Sequence, residues 1–305
     1  MEQHLLDRTT ASPAMPALGC AVLFAGSFVA GKVAADRLGP LTITLLRYVI
    51  AFGFLVVLFV RRSTRSLAVR AHDIPLFMFL GATGIVGYHY FFFRALTYTA
   101  VANTAIINAV NPVLTGILAG LLLRERIGRR GAAGIIVTVV GTLLLVSKGN
   151  PWIVFRGGLN RGDALMLGGV LSWSLYSLVV RRLTTRYSGY TVTFYATSCG
   201  LALLIPLALA EGLVNQFAGI EWSTWVAIAY MGVAASGLGY LLYNISVGSI
   251  GPTKTAGIVN GTVPLLVAIL ALVVFAEPIT LAMGLSGAMV LAGLGLTIRS
   301  STGDG

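Results

Sequence analysis

Charge is what this chain has least of. Only 10% of its residues are Asp, Glu, Lys or Arg, against the roughly 25% carried by soluble domains. A water-soluble fold with so little charge would lack the polar surface that keeps it in solution. Acidic residues are scarcest, 10 in 305, and each lies in a loop or near the end of an apolar stretch. No deep carboxylate is therefore on offer as a proton or sodium site, which leaves His89 as the candidate for coupling, or downhill flux. There are two cysteines, Cys20 and Cys199, both inside apolar stretches, and they are expected to pack as free thiols. No Cys or His spacing fits a metal site, so no metal is expected. The chain has no Gly-rich phosphate loop ending in Gly-Lys-Ser/Thr, which argues against nucleotide-driven pumping, and no cofactor is expected. It also lacks the grouped nucleophile, base and acid that an intramembrane enzyme would need.

What it has in excess is apolar length. Hydrophobic residues make up 57% of the chain, and they fall into ten stretches from 16–34 to 279–298, each near the length needed to cross ~30 Å of hydrocarbon. The expected fold is an all-α polytopic membrane protein with ten transmembrane helices. The first 15 residues are polar and lack the form of a secretory signal, so the first helix is read as a retained anchor. The net charge of +11 raises the question of nucleic acid, but the distribution of the cations points to a membrane. With the N-terminus in the cytoplasm, 14 Lys and Arg residues fall on the cytoplasmic side, 6 fall outside, and Arg47 lies within a helix. That bias matches the positive-inside rule and puts both termini in the cytoplasm. The expected partners are membrane lipid and a small-molecule substrate, with no nucleic acid. A monomer and a homodimer are both compatible with the sequence.

The chain also contains itself twice. A shift of 152 positions lays Ile106, Asn108, Pro112, Leu114, Ile117, Leu118, Ala119, Glu125 and Ile127 on identical residues from Ile258 to Ile279. The same shift brings Gly87-Tyr88 onto Gly239-Tyr240 and Gly141 onto Gly293, while a shift of 149 aligns the earlier part of each half. This divides the chain into a tail at 1–15, a five-helix repeat at 16–147, a connector at 148–161, a second repeat at 162–298 and a tail at 299–305. Five crossings per repeat is an odd number, so the second copy enters the membrane from the opposite side. Inverted repeats of this kind place a substrate site near the bilayer midplane, where the halves meet, and exchange access by rocking. A passive channel lined by aromatic constrictions is the alternative, with saturation and counterflow separating the two.

Several intramembrane residues are candidates for the path. Pro112 and Pro264 each remove the amide that would bond the carbonyl four residues back, and those carbonyls belong to Asn108 and Asn260. Two readings stand: the Asn-Pro pairs line or gate the path, with the prolines as hinges, or the asparagines are interhelical polar glue. His89, with Tyr88 beside it, is an ionisable group deep in a helix and a functional candidate on that ground. The repeat places Tyr240 and Tyr243 in the corresponding region of helix eight. Trp173 falls near mid-membrane, away from the interfacial belt, with Tyr176 one turn on. Its ring suits an aromatic or cationic solute, and core packing is the other reading. Arg47 is either a side chain that snorkels to the outer interface or a contact for a substrate carboxylate.

The run from Tyr98 through Ala105, Asn108 and Pro112 to Leu123 and Glu125-Arg126, followed by a glycine-bearing fifth helix, resembles the drug/metabolite transporter superfamily of EamA type. Pro264 to Glu277, Gly162-Asp163, Trp173 and Arg181-Arg182 resemble its second copy. The resemblance spans about 16–298. It implies a ten-helix bundle of paired repeats in the bacterial inner membrane that carries amino acids, related metabolites or organic cations, often outward. Within the superfamily the chain is most similar to the amino-acid and aromatic-metabolite exporters. It departs from them in helix one, where Phe24-Ala25-Gly26-Ser27 stands in place of a tryptophan before Gly-Ser.

Overall fold

The computed structural model describes residues 14–61, 68–123, 129–146, 160–216 and 220–300. Every element among the described residues is helical. The long helices are α1 (Met15–Ala35), α2 (Pro40–Arg61), α3 (71–96), α4a (Val101–Asn108) with α4b (Asn111–Leu123), and α5 (Arg129–Val146). The second half has α6 (Arg161–Thr184), α7 (Gly189–Ala210), α8 (222–250), α9 (Pro252–Phe275) and α10 (Leu281–Ser300). Eight of these, α1 to α4 and α6 to α9, are long and apolar enough to cross a membrane, against the ten spans expected. In α10 the apolar part is the shorter stretch Leu281–Gly293. Most of the expected tails, Glu125-Arg126 and the connector up to residue 159 lie outside the described residues.

Helix boundaries follow from the chemistry of the orphan backbone groups. Pro16, Pro75 and Pro252 sit in the first turns of their helices, where the missing N–H costs no hydrogen bond. Asn160 caps α6 by accepting from Gly162 N at 2.8 Å, and Ser188 caps α7 by accepting from Thr191 N at 3.1 Å. Two caps come from the other half of the chain. Glu211 accepts from Leu41 N at 3.2 Å and Thr42 N at 2.7 Å, while Glu277 accepts from Val101 N at 3.3 Å and Ala102 N at 3.4 Å. Each puts a carboxylate on the positive end of a helix dipole.

These contacts define two ends of the bundle. At one, here the Glu277 end, α1, α3, α7 and α9 finish and α2, α4a, α6 and α8 begin. At the other, the Asp73 end, α3 begins beside the turn that joins α6 to α7. Thus α1 runs toward the Glu277 end while α6 sets out from it.

Apolar side chains point outward as well as inward. Val22, Val49, Ile205, Ile269 and Val273 are all more than half exposed, a surface that only hydrocarbon would satisfy. Inside, one continuous core joins both halves. Helices α5 and α10 pack mainly on each other through Gly141 and Gly293. A Cβ on Gly141 would meet Met289 Cβ at 2.9 Å, and one on Gly293 would meet the Gly134 carbonyl at 2.6 Å, so this close crossing needs both small residues.

Two irregularities sit at matching places. Gly81–Gly87 in α3 and Met231–Gly239 in α8 are π-helical, each just before the tyrosines singled out in sequence. Such turns inside α-helices occur frequently at functional sites. The proline kinks, by contrast, differ between halves. The chain breaks at Ala109–Val110, three residues before Pro112, whereas α9 runs on through Pro264. At the break Asn111 donates to the Val170 carbonyl at 3.3 Å and accepts from Thr115 Oγ1 at 3.1 Å, so its side chain ties α4b to α6.

Candidate functional site

Midway between the two ends the helices enclose a small chamber of about 20 Å³. It is lined by Phe24, Ser27 and Phe28 of α1, Arg47 of α2, Tyr88, His89 and Phe92 of α3, Trp173 of α6 and Tyr240 of α8. Both halves of the chain contribute. That volume holds about one water and no organic solute.

Arg47 overturns the snorkelling reading. Its side chain is 2% exposed and turned inward. The position lies seven residues into a helix that begins at Pro40, about 10 Å deep at 1.5 Å per residue, and partners draw it toward the axis rather than the surface. Nε donates to Ser236 Oγ at 2.7 Å, Nη2 reaches the Met231 carbonyl at 3.5 Å, and Nη1 reaches Met231 Sδ at 3.7 Å. The guanidinium also lies 5.7 Å from the ring centroids of Tyr48 and Phe93. None of the ion pairs among the described residues includes it.

His89 is 2% exposed and its Nδ1 lies 2.9 Å from the Ile85 carbonyl. A carbonyl can only accept, so Nδ1 carries a proton, and Nε2 is an acceptor whenever the ring is neutral. The ring is edge-on to Tyr48 at 5.3 Å and Tyr88 at 5.1 Å and stacks with Tyr240 at 6.1 Å. Tyr240 OH donates to the Gly84 carbonyl at 2.8 Å, which ties α8 to the π-helical stretch of α3.

Trp173 is 4% exposed and stands among rings, with centroids at 4.9 Å for Tyr88, 5.1 Å for Tyr240 and 5.9 Å for Phe24. Its Nε1 donates to Tyr243 OH at 3.1 Å, and Tyr243 OH pairs with Ser177 Oγ at 2.8 Å. Tyr176 OH pairs with the Asn244 amide at 3.0 Å. Tyr176 and Tyr243 therefore brace Trp173 from behind and do not line the chamber.

Asn108 and Asn260 meet each other. Asn108 Nδ2 donates to Asn260 Oδ1 at 2.9 Å, Asn260 Nδ2 donates to the Ala256 carbonyl at 2.9 Å, and Asn108 Oδ1 is buried without a partner. Neither residue lines the chamber, an arrangement that suits interhelical glue better than a path lining. Pro112 is buried in the first turn of α4b, and Pro264 lines an apolar crevice of about 300 Å³ beside Ala102, Ile106 and Met283.

Sequence reasoning missed Phe28, Tyr48, Phe92, Ser236 and the role of Phe24. Phe24 had an available signal, since it opens the Phe24-Ala25-Gly26-Ser27 run in which the chain departs from the family it resembles. The others looked like ordinary helix residues. At the Glu277 end a second cavity, of about 710 Å³, opens among Lys32, Tyr98, Asn103, Asn160, Glu277 and Met283.

Known proteins are similar to this chain over most of its length. A solved crystal structure superposes with a TM-score of 0.66 at 19% identity, covering 97% of this chain and 100% of the other, which shows the common fold. The uncharacterized transporter YyaM of Bacillus subtilis is 27% identical over 91% of this chain and 90% of its own length. A probable terminal-alkyne amino-acid exporter of Streptantibioticus cattleyicolor is 26% identical over 92% of both chains. The aromatic amino acid exporter YddG of Ancylobacter novellus is 24% identical over 70% of both. The sequence profile of the EamA-like transporter family matches residues 12–147 and again residues 160–299, so nearly the entire chain is accounted for, and the protein belongs to that family.

Proposed function

We propose that this transporter exports amino acids and related small metabolites across a bacterial plasma membrane by alternating access, with the Arg47–Trp173 chamber as its central site. In this reading α5 and α10 complete ten crossings, the two halves are inverted repeats, and both termini are cytoplasmic. The observation that carries it is the chamber itself, which both halves line with six aromatic rings, a histidine and an arginine. Its small volume fits a site that must open to one side before a solute enters. The opposite directions of α1 and α6 and the matching π-helical stretches support the inverted arrangement. Two relatives named as amino-acid exporters support the substrate class.

Purified protein in liposomes, screened for counterflow with a panel of amino acids and organic cations, tests this. Saturable exchange is expected, whereas flux that rises linearly with concentration would indicate a pore. Trp173→Ala should weaken apparent affinity by about 2- to 30-fold, the range of one aromatic contact. Unchanged affinity would remove Trp173 from the site.

A further inference from the structure

Resting on the exporter reading, we infer that Arg47 is the anchor for a carboxylate, so that the transported molecule is a monocarboxylate with an apolar or aromatic body. The guanidinium has five N–H donors, and its partners among the described residues are one hydroxyl, one distant carbonyl and one thioether sulfur. Each terminal nitrogen therefore keeps an N–H to spare, which can donate to a carboxylate oxygen in a charge-assisted bond. The chamber itself holds no acidic side chain, so the one full positive charge there has no internal counter-ion. Within a membrane such a charge is costly, and a ligand that brings the missing anion removes the cost.

The rest of the lining narrows the class. Phe24, Phe28 and Phe92 offer only apolar surface, which suits a hydrocarbon or aromatic body. A phosphate would bring a second negative charge with no cation left to meet it. An amine without a carboxylate would face Arg47 as a like charge. An α-ammonium group beside the carboxylate is accommodated by the His89 Nε2 acceptor and the face of Trp173. Ser236 is then a positioning residue, holding Nε at 2.7 Å so that the guanidinium stays at the chamber wall.

Counterflow of radiolabelled L-phenylalanine in liposomes, with four unlabelled competitors, tests this directly. L-Phenylalanine and 3-phenylpropionate should compete, while L-phenylalaninamide and phenethylamine, which lack the carboxylate, should be weaker by roughly hundredfold or more. Arg47→Gln should abolish the difference between acid and amide, and Arg47→Lys should restore part of it, because an ammonium keeps the charge but not the planar set of donors. The competition pattern of the unaltered protein decides the matter even if neither variant folds. Equal competition by acid, amide and amine would overturn the carboxylate anchor and leave the exporter reading standing. Absence of any saturable L-phenylalanine exchange, with saturable exchange of an organic cation from the wider panel, would overturn both.

Discussion

The two ends of the bundle carry corresponding ion pairs in different settings. At the Glu277 end Arg37, just after α1, pairs with Glu221, just before α8, at 2.7 Å. At the Asp73 end Arg186, just after α6, pairs with Asp73 at the start of α3, at 3.3 Å. Arg37 and Arg186 lie 149 positions apart, so each pair links the first helix of one half to the third helix of the other. The first pair is open to solvent, with side chains 58% and 53% exposed. In the second the Asp73 carboxylate is 1% exposed and also accepts from Tyr187 OH at 2.7 Å, with His72 Nε2 at 3.1 Å. Tyr187 in turn accepts from Arg70 N at 3.1 Å. A duplicated sequence supplies the same charges twice, but burial and the neighbouring tyrosine turn only one of them into a clamp. The wide cavity lies at the end with the weaker pair. Under the alternating-access reading proposed above, this corresponds to a state closed at the Asp73 end and open at the other.

Breaking the clamp should have the largest effect. Asp73→Asn keeps the shape, removes the charge, and leaves one accepting oxygen in place of the two that Arg186 and Tyr187 use. It should cause the greatest fall in thermal unfolding temperature in detergent and slow counterflow several-fold. If melting and transport stay as in the parent protein, the contacts of Asp73 do not hold that end closed.

A smaller effect is expected at the opposite end from Glu211→Ala, which strips α2 of its cap at Leu41 N and Thr42 N. Loss of such a cap costs about 1 kcal/mol. A modest drop in melting temperature would show that the Glu277 end is ordered by helix caps. A drop as large as that of Asp73→Asn would erase the contrast between the ends.

The smallest change belongs to Glu221→Gln. Solvent-exposed ion pairs contribute about 0–1 kcal/mol, and added salt weakens them further. Its melting temperature should lie close to that of the parent protein and its transport rate within about twofold. A large loss in Glu221→Gln, read in the same unfolding and counterflow assays, would mean that this pair also acts as a latch.

Much of the architecture was legible because membrane insertion is written in composition and apolar length, and the internal repeat in plain identity. The aromatic part of the chamber was legible too, since Tyr88, His89, Trp173 and Tyr240 stand out as polar or amphipathic rings far from an interface. Arg47 was harder to place. Whether an arginine near a helix end turns out or in depends on what faces it, and here Ser236 and Met231 come from more than 180 residues away. The Asn108–Asn260 bond had a signal in the repeat, because the two residues are 152 positions apart and occupy equivalent places in it. The unequal kinks had none. Both halves share Asn followed four residues later by Pro, and the difference between a broken and a continuous helix lies with tertiary partners such as Val170.

The most direct test of the account asks whether the two ends face opposite sides of the membrane. Single cysteines at His72 and at Asn215, in a chain carrying Cys20→Ala and Cys199→Ala, can be labelled in intact cells with a membrane-impermeant maleimide. The cysteine at position 215 should label from outside, and the one at position 72 only after the membrane is permeabilised. Labelling of both from the same side would contradict the inverted bundle and the alternating-access site built on it.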